Sequence, residues 1–278
     1  MTGEKLHAGV ITPLFSGVRR LVAPNAGMMT GPGTNTYLLG EQEIAIIDPG
    51  PAMSEHIQRI LSEAAGPICW ILVTHTHPDH SPAAMALAAE TGAQVLGIVA
   101  PEGRHQDRTF APDREMADGD IFSTNEFVLE IVHTPGHASN HLCFLHREHR
   151  LLFTGDHIIN GSTVVIDPPD GSMADYLDSL QKLKQIKINA IAPGHGAIMA
   201  NAYEAIDWLI EHRLYREAKV IESLRLHPST ALEALVTYVY DEVDTRLHPI
   251  AARSLLAHLL KLEEEGRASN EADRWSMT

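Results

Sequence analysis

Apolar positions fall in short blocks along the first part of the chain and in helical stripes along the last part. Residues 36–39 and 44–47 read as two strands joined by a turn at Gly40-Glu41-Gln42, the second ending in Asp48-Pro49-Gly50. A helix is predicted over 55–65 with Ser54 as its cap, because Ile57, Ile60 and Leu61 share one face. The apolar run 68–73 predicts a buried strand. Ser81-Pro82 then predicts a cap and first helical position for a helix over 83–90 that stops at Gly92. A strand at 94–99 and a polar loop over 101–119 follow. Such alternation predicts a sheet with helices packed outside it.

Strands return at 127–132, 142–145 and 151–153, the last two joined by the polar turn His146-Arg147-Glu148-His149. A helix over 175–187 leads to a short strand at 190–193. Beyond 201 helix dominates: a long amphipathic one over 202–226, a shorter one over 230–239, and one over 249–265 that opens on Pro249 and stops at Gly266. Residues 267–277 read as a hairpin. Helices followed by a terminal hairpin predict a winged-helix appendage, with a boundary between domains 1–200 and 201–278.

Composition narrows the class. At 278 residues, 44% hydrophobic and 21% charged, the chain suits one large domain plus a small one. No apolar stretch has membrane-spanning length, and residues 1–16 lack the basic start and apolar segment of a secretory leader, so the expected location is cytoplasmic with no membrane partner. Cys69 and Cys143 lie far apart inside apolar runs, which excludes a thiolate zinc cluster and predicts buried structural thiols. The net charge of −15 disfavours sequence-independent binding to a phosphate backbone.

One stretch concentrates the chemistry. His75-Thr76-His77-Pro78-Asp79-His80 places four potential metal ligands in six residues, directly after the 68–73 strand. Side chains repeat every two residues along a strand end, so His75 and His77 fall on one side, whereas Asp79 and His80 lie beyond Pro78, where the chain turns. One segment can therefore serve two adjacent metals. A tag remnant would be terminal and homopolymeric, and this run is neither. Three later strand ends each offer His or Asp beside glycine: His137 after Gly136, Asp156 after Gly155, and His195 between Gly194 and Gly196. Glycine lets the backbone approach an ion closely. Imidazoles with aspartate oxygens suit Zn²⁺, and a set that leaves positions open to water indicates catalysis. His133 and most of the remaining histidines have no ligand-like neighbours and read as surface or packing residues.

These residues closely resemble the metallo-β-lactamase superfamily, through the His-x-His-x-Asp-His loop and then His137, Asp156 and His195 in order. The resemblance extends to lactamase-β-like hydrolases with a C-terminal winged helix and a glyoxalase II-like core, through Gly33-Thr34-Asn35-Thr36-Tyr37, His137-Ala138-Ser139-Asn140-His141, Gly161-Ser162-Thr163 and His212-Arg213-Leu214-Tyr215-Arg216. It implies an α/β fold, a four-layer αββα sandwich followed by a small helical winged-helix-like domain. It also implies that His75, His77 and His137 hold one divalent metal, that Asp79, His80 and His195 hold a second, and that Asp156 bridges them. Zinc is the expected metal, and manganese or iron suits the same ligands. Two such ions can share one hydroxide and polarise the bond it attacks, with Asp79 as the catalytic residue that orients it. The residual positive charge favours an anionic substrate. Asp48 is expected either to hydrogen-bond the metal loop or to stabilise its own turn. Asn35, His141, Ser162 and Thr163 are expected, by resemblance, to line the substrate cleft.

Two departures shape the expected activity. Pro82-Ala83-Ala84 stands where many relatives carry paired glycines, which argues against close backbone approach of substrate there. Asp156 stands where the β-lactamases with a cysteine ligand have that cysteine, which argues against antibiotic hydrolysis. The leading expectation is hydrolysis of a small ester or thioester. A metal-dependent endoribonuclease acting on single-stranded RNA is one alternative, and a winged-helix DNA-binding protein with a vestigial metal site is another. Residues 201–278 hold nine Lys plus Arg against fourteen Asp plus Glu, which suits neither nucleic-acid reading. Leu255, Leu256, Leu259 and Leu262 are expected to pack the appendage against the core, where it would cover the cleft or form a homodimer contact.

Overall fold

The computed structural model describes residues 5–278; residues 1–4, the start of the stretch read for a leader, lie outside the described residues. The chain forms two compact units. One comprises the chain up to Thr134 with Asn140–Ser162 and Ile186–Tyr203, and the other comprises Pro135–Ser139, Thr163–Gln185 and Glu204–Thr278.

In the first unit, β1 (Ile11–Phe15), β2 (Val18–Val22), β3 (Asn35–Leu39) and β4 (Ile44–Ile47) pair antiparallel in sequence order. Beyond β4 the sheet turns parallel, through β5 (Ile68–Leu72), β6 (Gln94–Gly97) and the two-residue β7 (Arg114–Glu115). Parallel neighbours need crossovers. Helix α1 (Ser54–Glu63) supplies the one from β4 to β5, and α2 (Ala83–Thr91) the one from β5 to β6. A second sheet runs in the order β12 (Ala190–Pro193), β11 (Leu151–Gly155), β10 (Leu142–His146), β9 (Val128–His133), β8 (Ile121–Ser123).

The pleat sorts β4 between two cores. Ala45 and Ile47 face Phe144, Phe153 and Ile131 of the second sheet, whereas Ile44 and Ile46 pack with Ile60 of α1 and Leu87 of α2. Both faces are buried, which is why β4 reads as an unbroken apolar run rather than an alternating one.

The second unit contains α3 (Met173–Leu183), nearly all of α4 (Ala202–Leu226), α5 (Leu232–Val239) and α6 (His248–Glu264). A three-stranded sheet orders β13 (Thr230–Ala231), β15 (Arg274–Met277) and β14 (Ala268–Glu271). Its core joins Val220 and Leu224 of α4, Leu235 and Val239 of α5, Leu255, Leu259 and Leu262 of α6, and Trp275 of β15. The leucine stripe of α6 thus fills this unit's own core. Together these features make the predicted α/β sandwich with a C-terminal winged helix.

Several local expectations are corrected. Ser54 is the first residue of α1, with Met53 at the cap position and no side-chain cap. Ser81 does not cap α2; its Oγ donates to Asp107 Oδ2 at 2.7 Å, and Pro82 takes the cap position. A carboxylate brought in from a distant loop has outcompeted the local cap. The 101–119 segment contains β7 as well as loop. Cys143 is buried as expected but Cys69 is only half-buried, and both are free thiols. No described helix is long and apolar enough to cross a membrane.

Candidate metal centre

The metal loop begins where the β5 ladder stops. Thr74 N–H donates to Asp48 Oδ1 at 2.7 Å, and Thr74 Oγ1 donates to Asp48 Oδ2 at 2.7 Å. With its proton committed, that hydroxyl accepts from His75 Nδ1 at 3.0 Å. The Nε2 lone pair of His75 is therefore the one left to bind a ligand, and it lies 3.1 Å from His77 Nδ1. Beyond Pro78 the chain closes a turn, His80 N–H donating to His77 carbonyl at 3.0 Å. The His80 ring is set by its Nδ1 donating to Asp48 Oδ2 at 2.9 Å.

The other strand ends follow the same logic. His195 donates through Nδ1 to the Gly33 carbonyl at 3.2 Å, which turns Nε2 toward 3.1 Å from Asp79 Oδ2 and 3.3 Å from Asp156 Oδ1. His80 Nε2 stands 3.3 Å from Asp156 Oδ1 and 3.5 Å from Asp79 Oδ2. Donor atoms of Asp79, His80, Asp156 and His195 all lie within 4.8 Å of one another. His137, in the Pro135–Ser139 segment of the second unit, donates through Nδ1 to the Val165 carbonyl at 2.7 Å, again leaving the lone pair on Nε2. A ring held by its far nitrogen is the usual way a protein aims a histidine ligand.

Charge in the quartet is strongly polarised. Burial opposes ionisation of Asp79, yet His80 and His195 beside it draw its carboxyl down to about 2. Burial likewise disfavours a charged His195, but Asp156 and Asp79 push it up to about 10. His80 moves well above the ordinary range against burial, through Asp79, Asp156 and Asp48. His75 moves the other way: burial, then His80, His77 and His141, hold it neutral.

Supporting residues separate from cleft residues. Asp48 is 2% exposed and carries a left-handed φ of 49°, a conformation Asp tolerates better than most residues. Its carboxylate holds the metal loop, through Thr74 and His80. Asn35 and His141, expected to line the substrate cleft, are fully buried. Asn35 Nδ2 donates to the Pro193 and Gly196 carbonyls, each at 2.8 Å, and so ties β3 to the loop that carries His195. His141 accepts the Asp156 N–H on Nε2 at 3.2 Å and contacts Thr134 Oγ1 through Nδ1 at 3.0 Å. The Asn35 amide nitrogen and both His141 ring nitrogens are thus committed to the framework. Ser162 is exposed and Thr163 half-buried. Sequence reasoning passes over Thr34, whose Oγ1 donates to Asp79 Oδ2 at 3.4 Å and accepts from Asn25 Nδ2 at 2.9 Å. Its place in Gly33-Thr34-Asn35 is the available signal.

The residues fit divalent cations. The Nδ1 atoms of His75, His80, His137 and His195 are bonded to the framework, which leaves their Nε2 atoms, with the aspartate oxygens, as the donor chemistry that binds zinc, manganese or iron. Gly194 keeps the quartet open: a Cβ there would fall 2.7 Å from Asp156 Oδ1 and 2.7 Å from His80 Cε1.

An α/β sandwich with His and Asp gathered at its strand ends defines a class of metal-dependent hydrolase. The chain belongs to the metallo-beta-lactamase superfamily, whose profile matches residues 29–195, and residues 231–275 match the beta-lactamase associated winged helix domain. It is 33% identical to Beta-lactamase-like protein 2 homolog of Drosophila melanogaster, over 95% of this chain and 94% of that one. It is 31% identical to the atrochrysone carboxyl ACP thioesterase of Aspergillus fumigatus, over 75% of this chain and 65% of that one. A metallo-beta-lactamase family protein from Thermus thermophilus shares the fold, with a TM-score of 0.80 at 21% identity, over 96% of this chain and 100% of that one.

Proposed function

We propose that this protein is a dinuclear metal-dependent hydrolase of a small, anionic ester or thioester. The observation that carries the reading is the convergence of Asp79, His80, Asp156 and His195, whose donor atoms all lie within 4.8 Å of one another. His75, His77 and His137 would hold one divalent ion, with zinc the expected metal, and Asp79, His80 and His195 a second, with Asp156 common to both. Such a pair of ions supplies water acidified toward a pKa of about 7 and a Lewis acid for the carbonyl oxygen. Asp79, which accepts from Thr34 Oγ1 at 3.4 Å, would orient the attacking water. Two dications against the carboxylates of Asp79 and Asp156 leave the site positive, which selects an anionic substrate even in a chain of net charge −15. The thioesterase named among the relatives supports a thioester in particular.

Paired turnover tests this. Metal-loaded protein is given a glutathione thioester, an acyl phosphopantetheine thioester and a single-stranded RNA oligonucleotide, with His77→Ala as the contamination control. Cleavage of a thioester alone, abolished in the variant, is the expected result. RNA cleavage lost in the same variant would replace this reading with the endoribonuclease one.

A further inference from the structure

The Arg213 motif that resembles relatives has no part in the donor set, yet it reaches the backbone that aims His137. The Val165 carbonyl accepts from His137 Nδ1 at 2.7 Å. One residue earlier, the Val164 carbonyl accepts from Arg213 of α4 at 2.6 Å. One residue later, Ile166 N–H donates to Ser254 Oγ of α6 at 3.3 Å. Three consecutive residues are thus held by α4, by the His137 ring and by α6. Arg213 and Ser254 are 2% and 7% exposed, so these bonds compete with little water.

The segment that carries His137 is gripped by the same unit. Ser172 N–H donates to the Gly136 carbonyl at 2.8 Å, and Ser179 Oγ of α3 donates to the Pro135 carbonyl at 2.8 Å. Gly136 has a φ of 139° and lies so close to Tyr176 that no Cβ fits. The Arg213 guanidinium sits over that same Tyr176 ring, 5.2 Å from its centroid. Arg213 therefore touches both walls of the His137 setting: the 164–166 strap directly, and the Gly136 side through Tyr176.

We infer that Arg213 and Ser254 are positioning residues for the His137 ligand, so that one role of the C-terminal helices is to set the geometry of one metal. The inference rests on the reading of His137 as a ligand. Adjacent peptide units share a Cα, so a shift of the Val164 carbonyl tilts the Val165 carbonyl with it. The imidazole must then follow or lose its acceptor. Partners that orient a metal-bound histidine typically contribute 10- to 100-fold in affinity.

The experiment titrates zinc and cobalt into the metal-free full chain against a chromophoric chelator, resolves the two equivalents, and records the visible cobalt spectrum. Arg213→Met is expected to weaken one equivalent by about 10- to 100-fold and shift its cobalt bands, leaving the other within about twofold. Ser254→Ala, the milder change, should weaken the same equivalent less, and Arg213→Lys, which keeps a donor for Val164, should recover most of the loss. Glu217→Gln removes ion pairs of the same unit to Lys261 and Arg267 without touching the strap, and should leave both equivalents unchanged. Equal weakening of both equivalents by Arg213→Met, no weakening by either Arg213→Met or Ser254→Ala, or the same selective loss in Glu217→Gln overturns the inference. His137→Ala separates it from the reading beneath it. Retention of both equivalents in that variant overturns the ligand assignment and the inference with it. Loss of one, with Arg213→Met and Ser254→Ala silent, overturns the inference alone.

Discussion

Asp48 Oδ2 accepts from Thr74 Oγ1 and from His80 Nδ1 at once, at 2.7 and 2.9 Å, so one buried carboxylate sets rings on both sides of the metal loop. Thr74 passes the constraint to His75, whose Nδ1 donates to the same hydroxyl at 3.0 Å. Asp48→Asn keeps the left-handed backbone conformation but gives the loop an amide with one acceptor fewer. Metal affinity should fall about 10- to 100-fold with the fold intact. Asp48→Ala strands three buried donors, each costing about 1–3 kcal/mol, and should lower the melting temperature as well. Chelator competition and thermal melting separate the two effects. Wild-type affinity in Asp48→Asn would show that the carboxylate serves the turn alone.

The quartet predicts a pH profile for chelator-treated protein. Asp79 is drawn from its ordinary 3.8 to about 2, so its contribution to stability is complete above 3.8 and is lost as the pH falls through about 2. His195 is raised from 6.5 to about 10, so its contribution is complete below 6.5 and is lost as the pH rises through about 10. The metal-free protein should therefore melt highest between about pH 4 and 6.5 and decline steadily on the alkaline side. Bound zinc takes the place of those protons and should flatten the alkaline decline. Parallel melting series with chelator and with zinc check this, and identical alkaline limbs would contradict it.

Zinc binding should also release protons, because His80 and His195 are both held protonated by carboxylates that a cation would share. Near neutral pH, loading in weak buffer should acidify the solution, and removal of the metal should take up the same protons. Binding only the native state, zinc at about 1,000 times its dissociation constant should add about 4 kcal/mol to stability. A pH indicator and a thermal shift measured on one titration provide both numbers. Loading without proton release would place the metal away from this quartet.

Much of this centre was legible because its ligands sit at strand ends beside glycine or proline, where local pattern and chemistry coincide. Asp79, His80, Asp156 and His195 have donor atoms within 4.8 Å of one another. The misses share a cause in long-range packing. Strand β2 contains Arg19-Arg20, and a buried Arg20 gives no hydrophobic signal for the strand that holds it. Ser81 looks like a cap until Asp107 arrives from a loop remote in sequence. Asn35 and His141 are polar in the way cleft residues are polar, and only burial reveals that they serve the framework. Grouping of Pro135–Ser139 and Thr163–Gln185 with the C-terminal helices has no counterpart in composition or periodicity.

Gly194 gives a steric test of the quartet. A Cβ would sit 2.7 Å from Asp156 Oδ1, 2.7 Å from His80 Cε1 and 2.9 Å from the Gly155 carbonyl carbon. None of these is the free end of a flexible side chain. Gly194→Ala should cost about 1–3 kcal/mol by overpacking and remove one metal equivalent while sparing the other. Melting and metal analysis of the purified variant check both halves. Full occupancy would mean that the quartet is wider in solution than in this geometry.

His141 offers the sharpest division between a substrate contact and a framework residue. Its Nε2 accepts the Asp156 N–H at 3.2 Å, and its ring stacks on His75 with centroids 4.9 Å apart. His141→Leu removes that acceptor, leaves the amide behind Asp156 without its partner and keeps an apolar surface against His75. A cleft residue lost in this way would raise KM and leave metal content intact. A framework residue would instead lower metal occupancy and kcat, with KM within about twofold of wild type once the sites are saturated with zinc. The second outcome is expected, because a side chain with no exposed surface cannot touch a substrate but can move the carboxylate behind which it stands. A raised KM at full metal occupancy would mean that the cleft opens to His141 during turnover.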